Sequence, residues 1–414
     1  MSTTGAPSPI AYSESALSFR KEIRIWLADN APDEVRGLRV PREPSPEIEA
    51  VIARWAQTLT EARLMCVAWP EEYGGRGLSG VEVAIMNEEF DRIDVPRLTR
   101  GMGESLVGPA IIAHATPEQK RRFLPPIISG EHVYCQGFSE PGAGSDLASL
   151  TTSAIVDADR LVINGQKVWT SGFFKANMIF TLVRTNPDAP KHHGISYVLV
   201  PITIDGKPNG IEFRPINRMT GLAHFSETFF ADAVAPLDNV IGGLNHGWQT
   251  AMTTLGSERG ASATTAHLAF FRRFWQLVGQ VRARGLIDDV RVREQLAWMY
   301  AEAEVLRYTG FQLMATLASG NTPGGAGNGS SNKIRWSEYE RRMAEIAMDL
   351  LGPDSLVVGP GYELDEWQEE FLVTRSHTIW GGTAEVQRNI VGERVLGLPK
   401  DPQPISSTTP RGNQ

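Results

Sequence analysis

The stretch YCQGFSEPGAGSDLASL, residues 134–150, marks the point where the chain changes from helical to β-type character. Pro141, Gly142 and Gly144 allow a tight backbone turn, and the bare glycines let a ligand approach main-chain N–H groups. A second stretch, NGQKVWTSG at 164–172, predicts a hairpin around Asn164 and Gly165. The β-type runs MIFTLVRT, GISYVLVPI and ETFFADAVAP follow it, so a β domain is predicted over residues 134–240.

Helical patterns flank this β domain on both sides. In the first part, Ser45 and Pro46 predict the start of one helix, and Thr116 with Gln119 predicts a capping box at the start of another. In the last part, helices are predicted over 244–282, 289–318, 330–351 and 363–379, with a glycine-rich loop at 319–331. The predicted domains are 1–133, helical; 134–240, β; 241–396, helical; and 397–414, a disordered tail.

Composition restricts the classes of function. The 414 residues carry a net charge of −8, which argues against electrostatic binding to nucleic acid or to an anionic membrane. No apolar run is long enough to span a bilayer and no leader pattern is present, so we expect a cytoplasmic protein without membrane insertion. Two cysteines and eight histidines show no metal-ligand spacing, so no metal is expected.

The loop EPGAGSD and the strand motif NGQKVWTS together resemble the acyl-CoA dehydrogenase family. WPEEYGGRGL at 69–78 and GPAIIAHATPEQKRRFLPPIISGE at 108–131 resemble its N-terminal domain, and GGTAEVQRNIVGERVLGLP at 381–399 resembles its final helix. The resemblance spans nearly the whole chain. It implies an α+β multidomain fold with an N-terminal helical domain, a central β-barrel-like domain and a C-terminal four-helix bundle.

The family binds FAD, and the resemblance places the flavin ring against the β domain. It implies that the Ser139 hydroxyl hydrogen-bonds the ring, with Gln136 and Phe138 contributing from the same strand. It places the Trp169 indole beside the ring and the Ser171 hydroxyl at flavin N5. A flat ring that is apolar on its faces and polar along one edge needs an aromatic neighbour and hydroxyl donors.

Contacts to the rest of FAD are implied by four further residues. Thr383 and Glu385 fall where the family touches the nucleotide end. The family's Arg-x-Phe-Gly element, which reaches the pyrophosphate of a neighbouring subunit, appears only as RGLI at 284–287, so Arg284 with Gln295 is the surviving match. The usual Gln-x-x-Gly-Gly element is replaced by MDLLGP at 348–353. These departures put the cross-subunit contacts in doubt.

The implied reaction removes an α-proton from an acyl-CoA thioester and passes a β-hydride to flavin N5. Many members carry the catalytic carboxylate where this chain has Gly381, and a minority carry it directly before an arginine, as in Glu258–Arg259 here. We therefore predict Glu258 as the base and the Gly381 main-chain N–H as a donor to the thioester carbonyl. His377 and Glu385 are weaker candidates for the base.

Ser145, Arg259 and Trp380 are the implied substrate contacts. The expected partners are the acyl-CoA, an electron-transferring flavoprotein as acceptor, and other subunits in a homotetramer or an α2β2 heterotetramer with a second dehydrogenase chain. The absent side chain at Gly381 favours a branched or bulky acyl group such as a steroid side chain. Two alternatives are a non-catalytic partner subunit that completes another chain's flavin site, and a flavin monooxygenase on the same fold.

Overall fold

The computed structural model describes residues 12–39, 44–260, 265–318 and 327–400, without the side chains of 258–260, 317, 318, 327 and 328. Five α-helices form the N-terminal part: α1 (Glu14–Asn30), α2 (Pro46–Glu61), α3 (Gly80–Arg92), α4 (Gly108–His114) and α5 (Pro117–Ser129). The Ser45 hydroxyl accepts from the Ile48 N–H, and the capping box of Thr116 and Gln119 is formed. Both predicted helix starts are therefore confirmed.

A buried carboxylate helps to hold the N-terminal helices together. Glu89 of α3 accepts hydrogen bonds from Arg20 and Arg24 of α1 and from Arg92. Burial raises the pKa of Glu89, but the hydrogen bonds from the three arginines outweigh it, so that the pKa lies at about 2. The carboxylate is therefore charged in the folded protein, and it ties α1 to α3.

The middle of the chain forms one mixed sheet of eight strands. The strands are β1 (Tyr134–Gly137), β2 (Ser153–Asp157), β3 (Arg160–Ser171), β4 (Met178–Arg184), β5 (Ile195–Pro201), β8 (Ile211–Asn217), β9 (Ala223–Pro236) and β10 (Val240–Ile241). Their order is β10-β5-β4-β2-β3-β9-β8, and β1 pairs in parallel with β4. A separate hairpin joins β6 (Thr203–Ile204) to β7 (Lys207–Pro208). The long antiparallel pair of β3 and β9 carries the site described below.

The predicted hairpin at Asn164 and Gly165 was wrong. Strand β3 runs through both residues, and the turn lies instead between β2 and β3, where Asp157 pairs with Arg160. The Asn-Gly pair forms an irregularity in the β3–β9 ladder, and a Cβ on Gly165 would lie 2.7 Å from Cα of Thr152. The glycine is thus required by the close approach of a neighbouring backbone rather than by a turn.

Helices return after the sheet: α6 (Gly247–Gly260), α7 (Ala266–Ala283), α8 (Val290–Ala318), α9 (Gly327–Leu351), α10 (Glu366–Thr374) and α11 (Ala384–Ile390). The single helix predicted over 244–282 was wrong, because Thr265 has non-helical torsion angles (φ −130°, ψ 2°) and α7 starts after it. The predicted loop at 319–331 was too long, because α9 already begins at Gly327, and residues 319–326 lie outside the described residues.

Aromatic and aliphatic side chains connect the three parts. One buried cluster joins Trp69 and Ile111 of the N-terminal part to Phe180 and Tyr197 of the sheet and to Ala251 of α6. The expected arrangement of N-terminal helices, central sheet and C-terminal helices is therefore confirmed. Among the described residues, no helix is long and apolar enough to cross a membrane. The predicted tail falls largely on 401–414, outside the described residues.

Candidate active site

A buried ion pair fixes the glycine-rich loop to strand β3. Glu140 and Ala143 exchange main-chain hydrogen bonds of 3.0 and 3.1 Å, which closes a tight turn around Pro141 and Gly142. The Glu140 carboxylate accepts from Nζ of Lys167 at 2.8 Å, and the Lys167 side chain is fully buried. Lys167 Nζ also donates to the Phe138 carbonyl at 3.2 Å. The loop and the strand therefore have one fixed position relative to each other.

The charges of this pair depend on each other. Burial raises the pKa of Glu140, but Lys167 and the hydrogen bonds from Thr151 and Thr152 outweigh it and hold the pKa at about 2. Burial lowers the pKa of Lys167 to about 8, although Glu140 opposes this change. Both groups are charged at neutral pH, and the carboxylate is stabilised only while the ammonium is beside it.

The ion pair places Ser139 beside the part of β3 where the pairing with β9 becomes irregular. Trp169 lies at this irregularity and is exposed. The Val168 N–H donates to the Ser139 carbonyl at 2.9 Å, and the β3–β9 register shifts between Lys167 and Thr170. Trp169 lies in the left-handed region (φ 64°), and 57% of its surface is exposed. A large aromatic residue rarely adopts this backbone conformation.

A row of aromatic rings links this face to the C-terminal part of the chain. Trp169 contacts Phe225 of β9 edge-on at 5.9 Å between ring centroids, and Phe225 contacts Trp380 at 5.8 Å. We call Trp169, Phe225 and Trp380 the aromatic row. The residue paired with Phe225 across the ladder is Ser171. The row therefore brings together two residues predicted from the sequence, Trp169 and Trp380, and one that was missed.

The turn after Trp380 is built from glycines. Gly381 and Gly382 have φ angles of 63° and 91°, which favour glycine. The Gly381 carbonyl accepts from Gln387 Nε2 at 3.0 Å, whereas no acceptor among the described residues takes the Gly381 N–H. Thr383 caps α11 by accepting from the Val386 N–H at 3.2 Å. The geometry thus leaves the predicted main-chain donor available.

The two weaker base candidates are engaged elsewhere or exposed. Nδ1 of His377 lies 2.6 Å from Glu340, and the ring packs against Trp336. Glu385 is exposed, and its pKa is lowered by the main-chain N–H of its own residue and by Thr383 at the start of α11. The His377 ring is largely buried and also contacts Trp380 at 4.9 Å between ring centroids, so His377 stays a weaker candidate for the base, whereas the exposed Glu385 lacks a water-poor site.

The helix that carries Glu258 and Arg259 borders a cavity of about 670 Å³. The side chains of these two residues are outside the described set, but Ser257, one residue earlier, lines the cavity. The rest of the wall comes mainly from the N-terminal part: Cys66, Val67, Ala68, Trp69, Pro70, Val83, Asn87, Arg97, Thr99, Gly101, Glu104, Ser105, Pro109, Ile112 and, from the C-terminal part, Thr265. A volume of this size lies in the range of small-molecule sites.

Other predicted site residues are placed as follows. The Phe138 side chain is buried against Phe180 and Tyr197, and the contribution of Phe138 to a flavin site stays a prediction. Gln136 is half-buried on β1. Ser145 is exposed in the loop, beside the ion pair of Asp146 with Lys191, whose atoms lie 2.5 Å apart.

Arg284 and Gln295 are not joined to the aromatic row by any hydrogen bond or ring contact within the described part of the chain. Arg284 lies at the end of α7 and pairs with Asp354 at 3.4 Å, and Gln295 is half-buried near the start of α8. Their role toward a neighbouring subunit remains a prediction.

Four contributors were missed from the sequence. Phe225 lies in an ordinary β-type run, so only its contacts across the fold reveal it. Glu140 and Lys167 lie inside the quoted motifs, and a buried lysine two positions before the tryptophan was the available signal. Arg97 carries no local pattern that distinguishes it from a surface arginine.

The order of helical domain, sheet and helical domain is that of an acyl-CoA dehydrogenase, and comparison with known proteins agrees. The chain belongs to the acyl-CoA dehydrogenase family: the models of its N-terminal, middle and C-terminal domains match residues 13–131, 135–233 and 245–396. The family's members are flavin-dependent oxidoreductases that dehydrogenate acyl-CoA thioesters.

Individual relatives are similar over nearly their whole length. Acyl-CoA dehydrogenase IpdE1 of Mycobacterium tuberculosis is 43% identical over 391 residues, covering 92% of this chain and 98% of the relative. The structure described as the Tcur3481-Tcur3483 steroid ACAD has a TM-score of 0.78 at 30% identity, covering 94% of this chain and 99% of the other. The ChsE4-ChsE5 complex from Mycobacterium tuberculosis has a TM-score of 0.74 at 31% identity, covering 95% and 100%.

Proposed function

We propose that this chain catalyses the FAD-dependent α,β-dehydrogenation of an acyl-CoA thioester, with Glu258 as the base. The observation that carries the proposal is the aromatic row, which joins the exposed Trp169 face of the sheet to the Gly381 turn. A flavin ring needs an aromatic surface such as the Trp169 face, and a thioester carbonyl needs a donor such as the Gly381 N–H. The reaction requires both at one place. The cavity bordered by Ser257 supplies space for the acyl group next to Glu258.

The residues present fit FAD. Trp169 offers an exposed aromatic surface, Ser139 and Ser171 offer hydroxyl groups, and Thr383 lies at the start of α11. When bound there, FAD would supply the hydride acceptor. The chain's own contribution is to hold the ring with Trp169 and to exclude water from its face through Phe225.

Glu258 would take the α-proton, because a carboxylate in a water-poor site has a pKa closer to neutrality than one in water. The Gly381 N–H would hold the thioester carbonyl and stabilise the negative charge that develops on its oxygen. Arg259 and Trp380 would border the acyl group near the reacting carbons. Ser145, in the exposed loop, would contact the CoA moiety.

The acyl group is proposed to be bulky and ring-bearing. The cavity of about 670 Å³ exceeds what a short acyl chain needs, and Gly381 adds space near the reacting carbons. One relative in the comparisons is described as a steroid ACAD. An electron-transferring flavoprotein is the proposed acceptor of the electrons.

The test of the base is the Glu258→Gln protein, assayed by anaerobic flavin bleaching with a CoA thioester. We expect FAD and substrate binding to persist while the reduction rate falls about 10²- to 10⁴-fold, the range of general-base contributions. Glu61→Gln is the matched control, because Glu61 is an exposed carboxylate of α2 outside the site, and it should bleach at the wild-type rate. Wild-type bleaching by Glu258→Gln would remove Glu258 from the mechanism.

A second proposal concerns assembly. Two structures in the comparisons are described as pairs of chains, ChsE4-ChsE5 and Tcur3481-Tcur3483. Arg284, the only match to the cross-subunit arginine, pairs with Asp354 of its own chain. We therefore propose an α2β2 assembly in which a second dehydrogenase chain completes the flavin site. Full flavin occupancy and full activity of the purified single chain would exclude this arrangement.

A further inference from the structure

The cavity beside α6 has apolar walls and one buried cation. Val67, Trp69, Pro70, Val83 and Ile112 provide the apolar surface, which fits a hydrocarbon ring system. Polar groups also reach the cavity, and among the described side chains that line it the guanidinium of Arg97 carries the positive charge. An arginine in such a wall is costly unless its N–H groups have acceptors.

The hydrogen bonds of Arg97 are incomplete. Nη1 donates to Oδ1 of Asn87 at 3.0 Å, and Nη2 donates to Oε1 of Glu104 at 3.4 Å, a long distance for such a bond. Nε is buried and has no acceptor among the described residues. Burial lowers the pKa of Arg97, although Glu104 opposes this change. Nη1 and Nη2 each carry two N–H groups and have one acceptor each among the described residues, so the guanidinium keeps donors that the protein does not use.

The surrounding charges favour a neutral acceptor. Glu104 faces Arg97 and balances its charge, and burial raises the pKa of the Cys66 thiol, which therefore stays neutral. Arg100 contacts Glu104 through its main-chain N–H at 2.9 Å, while its guanidinium donates to Thr60 and to the Ile128 carbonyl. A second carboxylate from a ligand would face Glu104 at close range.

Arg97 is also positioned relative to the proposed base. Asn87, which accepts from Arg97, donates to the Thr265 hydroxyl at 3.1 Å, so the arginine side of the cavity is tied to the start of α7. Ser257, next to Glu258, borders the same cavity from α6. An acyl group whose α-carbon lies at Glu258 therefore extends into a cavity that contains Arg97.

We propose that Arg97 hydrogen-bonds a neutral oxygen, a ketone or a hydroxyl, on the far part of the acyl group. The substrates would then be CoA thioesters of oxygenated ring-bearing acids rather than of plain hydrocarbon acids. This inference rests on the proposed function, because it takes the cavity as the acyl site. It assigns to Arg97 the choice between oxygenated and plain acyl groups of the same shape.

The test uses three CoA thioesters of one shape: 3-(4-oxocyclohexyl)propanoyl-CoA, 3-cyclohexylpropanoyl-CoA and 3-(4-carboxycyclohexyl)propanoyl-CoA. Binding to the FAD-loaded protein is measured by calorimetry, and dehydrogenation is measured separately by anaerobic flavin bleaching. We expect the oxo compound to bind about 10-fold or more tightly than the plain one, as for a hydrogen bond from a charged donor. We expect the carboxy compound to bind no better than the plain one.

Two variants test whether Arg97 causes the preference for the oxo compound. Arg97→Met should abolish the preference for the oxo compound, whereas Ser105→Ala should keep it, because the Ser105 hydroxyl lines the cavity but already donates to the Gly101 carbonyl. Equal wild-type affinity for the oxo and plain compounds would overturn the inference, as would tightest binding of the carboxy compound. If Arg97→Met does not fold, these wild-type affinities decide.

Affinity and flavin bleaching together distinguish failure of the proposed dehydrogenation from failure of the proposed role of Arg97. A preference for the oxo compound without bleaching by any thioester would contradict dehydrogenation and leave the role of Arg97 supported. Bleaching by both the oxo and the plain compounds, with equal affinities, would support dehydrogenation and contradict the role of Arg97.

Discussion

Replacing Lys167 by methionine should destabilise the protein strongly, because it leaves the Glu140 carboxylate buried without its cation. In the wild type, the Glu140 pKa falls from 4.5 to about 2, which at about 1.36 kcal/mol per pKa unit corresponds to about 3 kcal/mol of stability at neutral pH. The Lys167 pKa falls from 10.5 to about 8, which costs a similar amount. The two contributions nearly cancel, so the ion pair as a whole changes the free energy of unfolding little.

Removal of one partner is expected to have a much larger effect than removal of both. Breaking a buried pair typically costs about 3 to 5 kcal/mol, and we expect Lys167→Met to lie in that range at pH 7. The Glu140→Gln/Lys167→Met double variant should recover most of the loss, because no charge remains buried. Urea unfolding followed by tryptophan fluorescence measures both values.

The direction in which the stability deficit of Lys167→Met changes with pH distinguishes the loss of the ion pair from a loss of packing. In the wild type, the Glu140 contribution is complete above about pH 4.5 and is lost as the pH falls toward 2, because the folded pKa is the lower one. Without Lys167, only the hydrogen bonds from Thr151 and Thr152 oppose the effect of burial, so the Glu140 pKa should rise and the deficit of the variant should shrink as the pH is lowered from 7 to 5.

The control is Lys191→Met, which breaks the exposed pair with Asp146 in the same part of the chain and should cost about 0 to 1 kcal/mol. A Lys167→Met deficit below about 1 kcal/mol, or a double variant no more stable than the single one, would refute the reasoning. Because the pair fixes Ser139 beside the strand of Trp169, the single variant should also retain less FAD after purification, as read from its visible spectrum.

Three further outcomes are expected. Gly165→Ala should lower stability by about 1 to 3 kcal/mol in urea unfolding, because its Cβ would meet Thr152, whereas Gly142→Ala, with open space around it, should stay within about 0.5 kcal/mol. Glu89→Gln should reduce the loss of stability between about pH 4.5 and pH 2 seen in the wild type, because the folded pKa of Glu89 is about 2; an unchanged acid unfolding curve would contradict this. Trp169→Gly should stabilise the FAD-free protein by about 1 kcal/mol by relieving the left-handed conformation, yet lower its FAD content; a variant that keeps full FAD would contradict the role of the indole.

The sequence predicted those parts of the site that are formed by residues adjacent in the chain. The glycine-rich loop and the glycine turn have the local pattern of tight turns, whereas the role of Trp169 was implied by the family resemblance. The order of helices, sheet and helices also followed from periodicity. The fold class and the family were therefore accessible before any coordinates.

Features that depend on distant contacts were not accessible. Phe225 becomes part of the site only because the end of β9 lies between Trp169 and Trp380. The Asn164–Gly165 pair has the composition of a hairpin turn, and the neighbouring Thr152 backbone makes it an irregularity within a strand. The unused donor of Arg97 is a property of three-dimensional burial, which a single sequence does not contain.

The glycine turn itself supports the relocation of the base. Gly381 and Gly382 both have positive φ angles, and a glutamate at Gly381 would adopt a left-handed conformation that costs about 1 kcal/mol. Since Ser257 borders the cavity from α6, a carboxylate at Glu258 can serve the acyl site without that strain. The local backbone and the position of the cavity thus favour the same division of roles, with the donor at Gly381 and the base at Glu258.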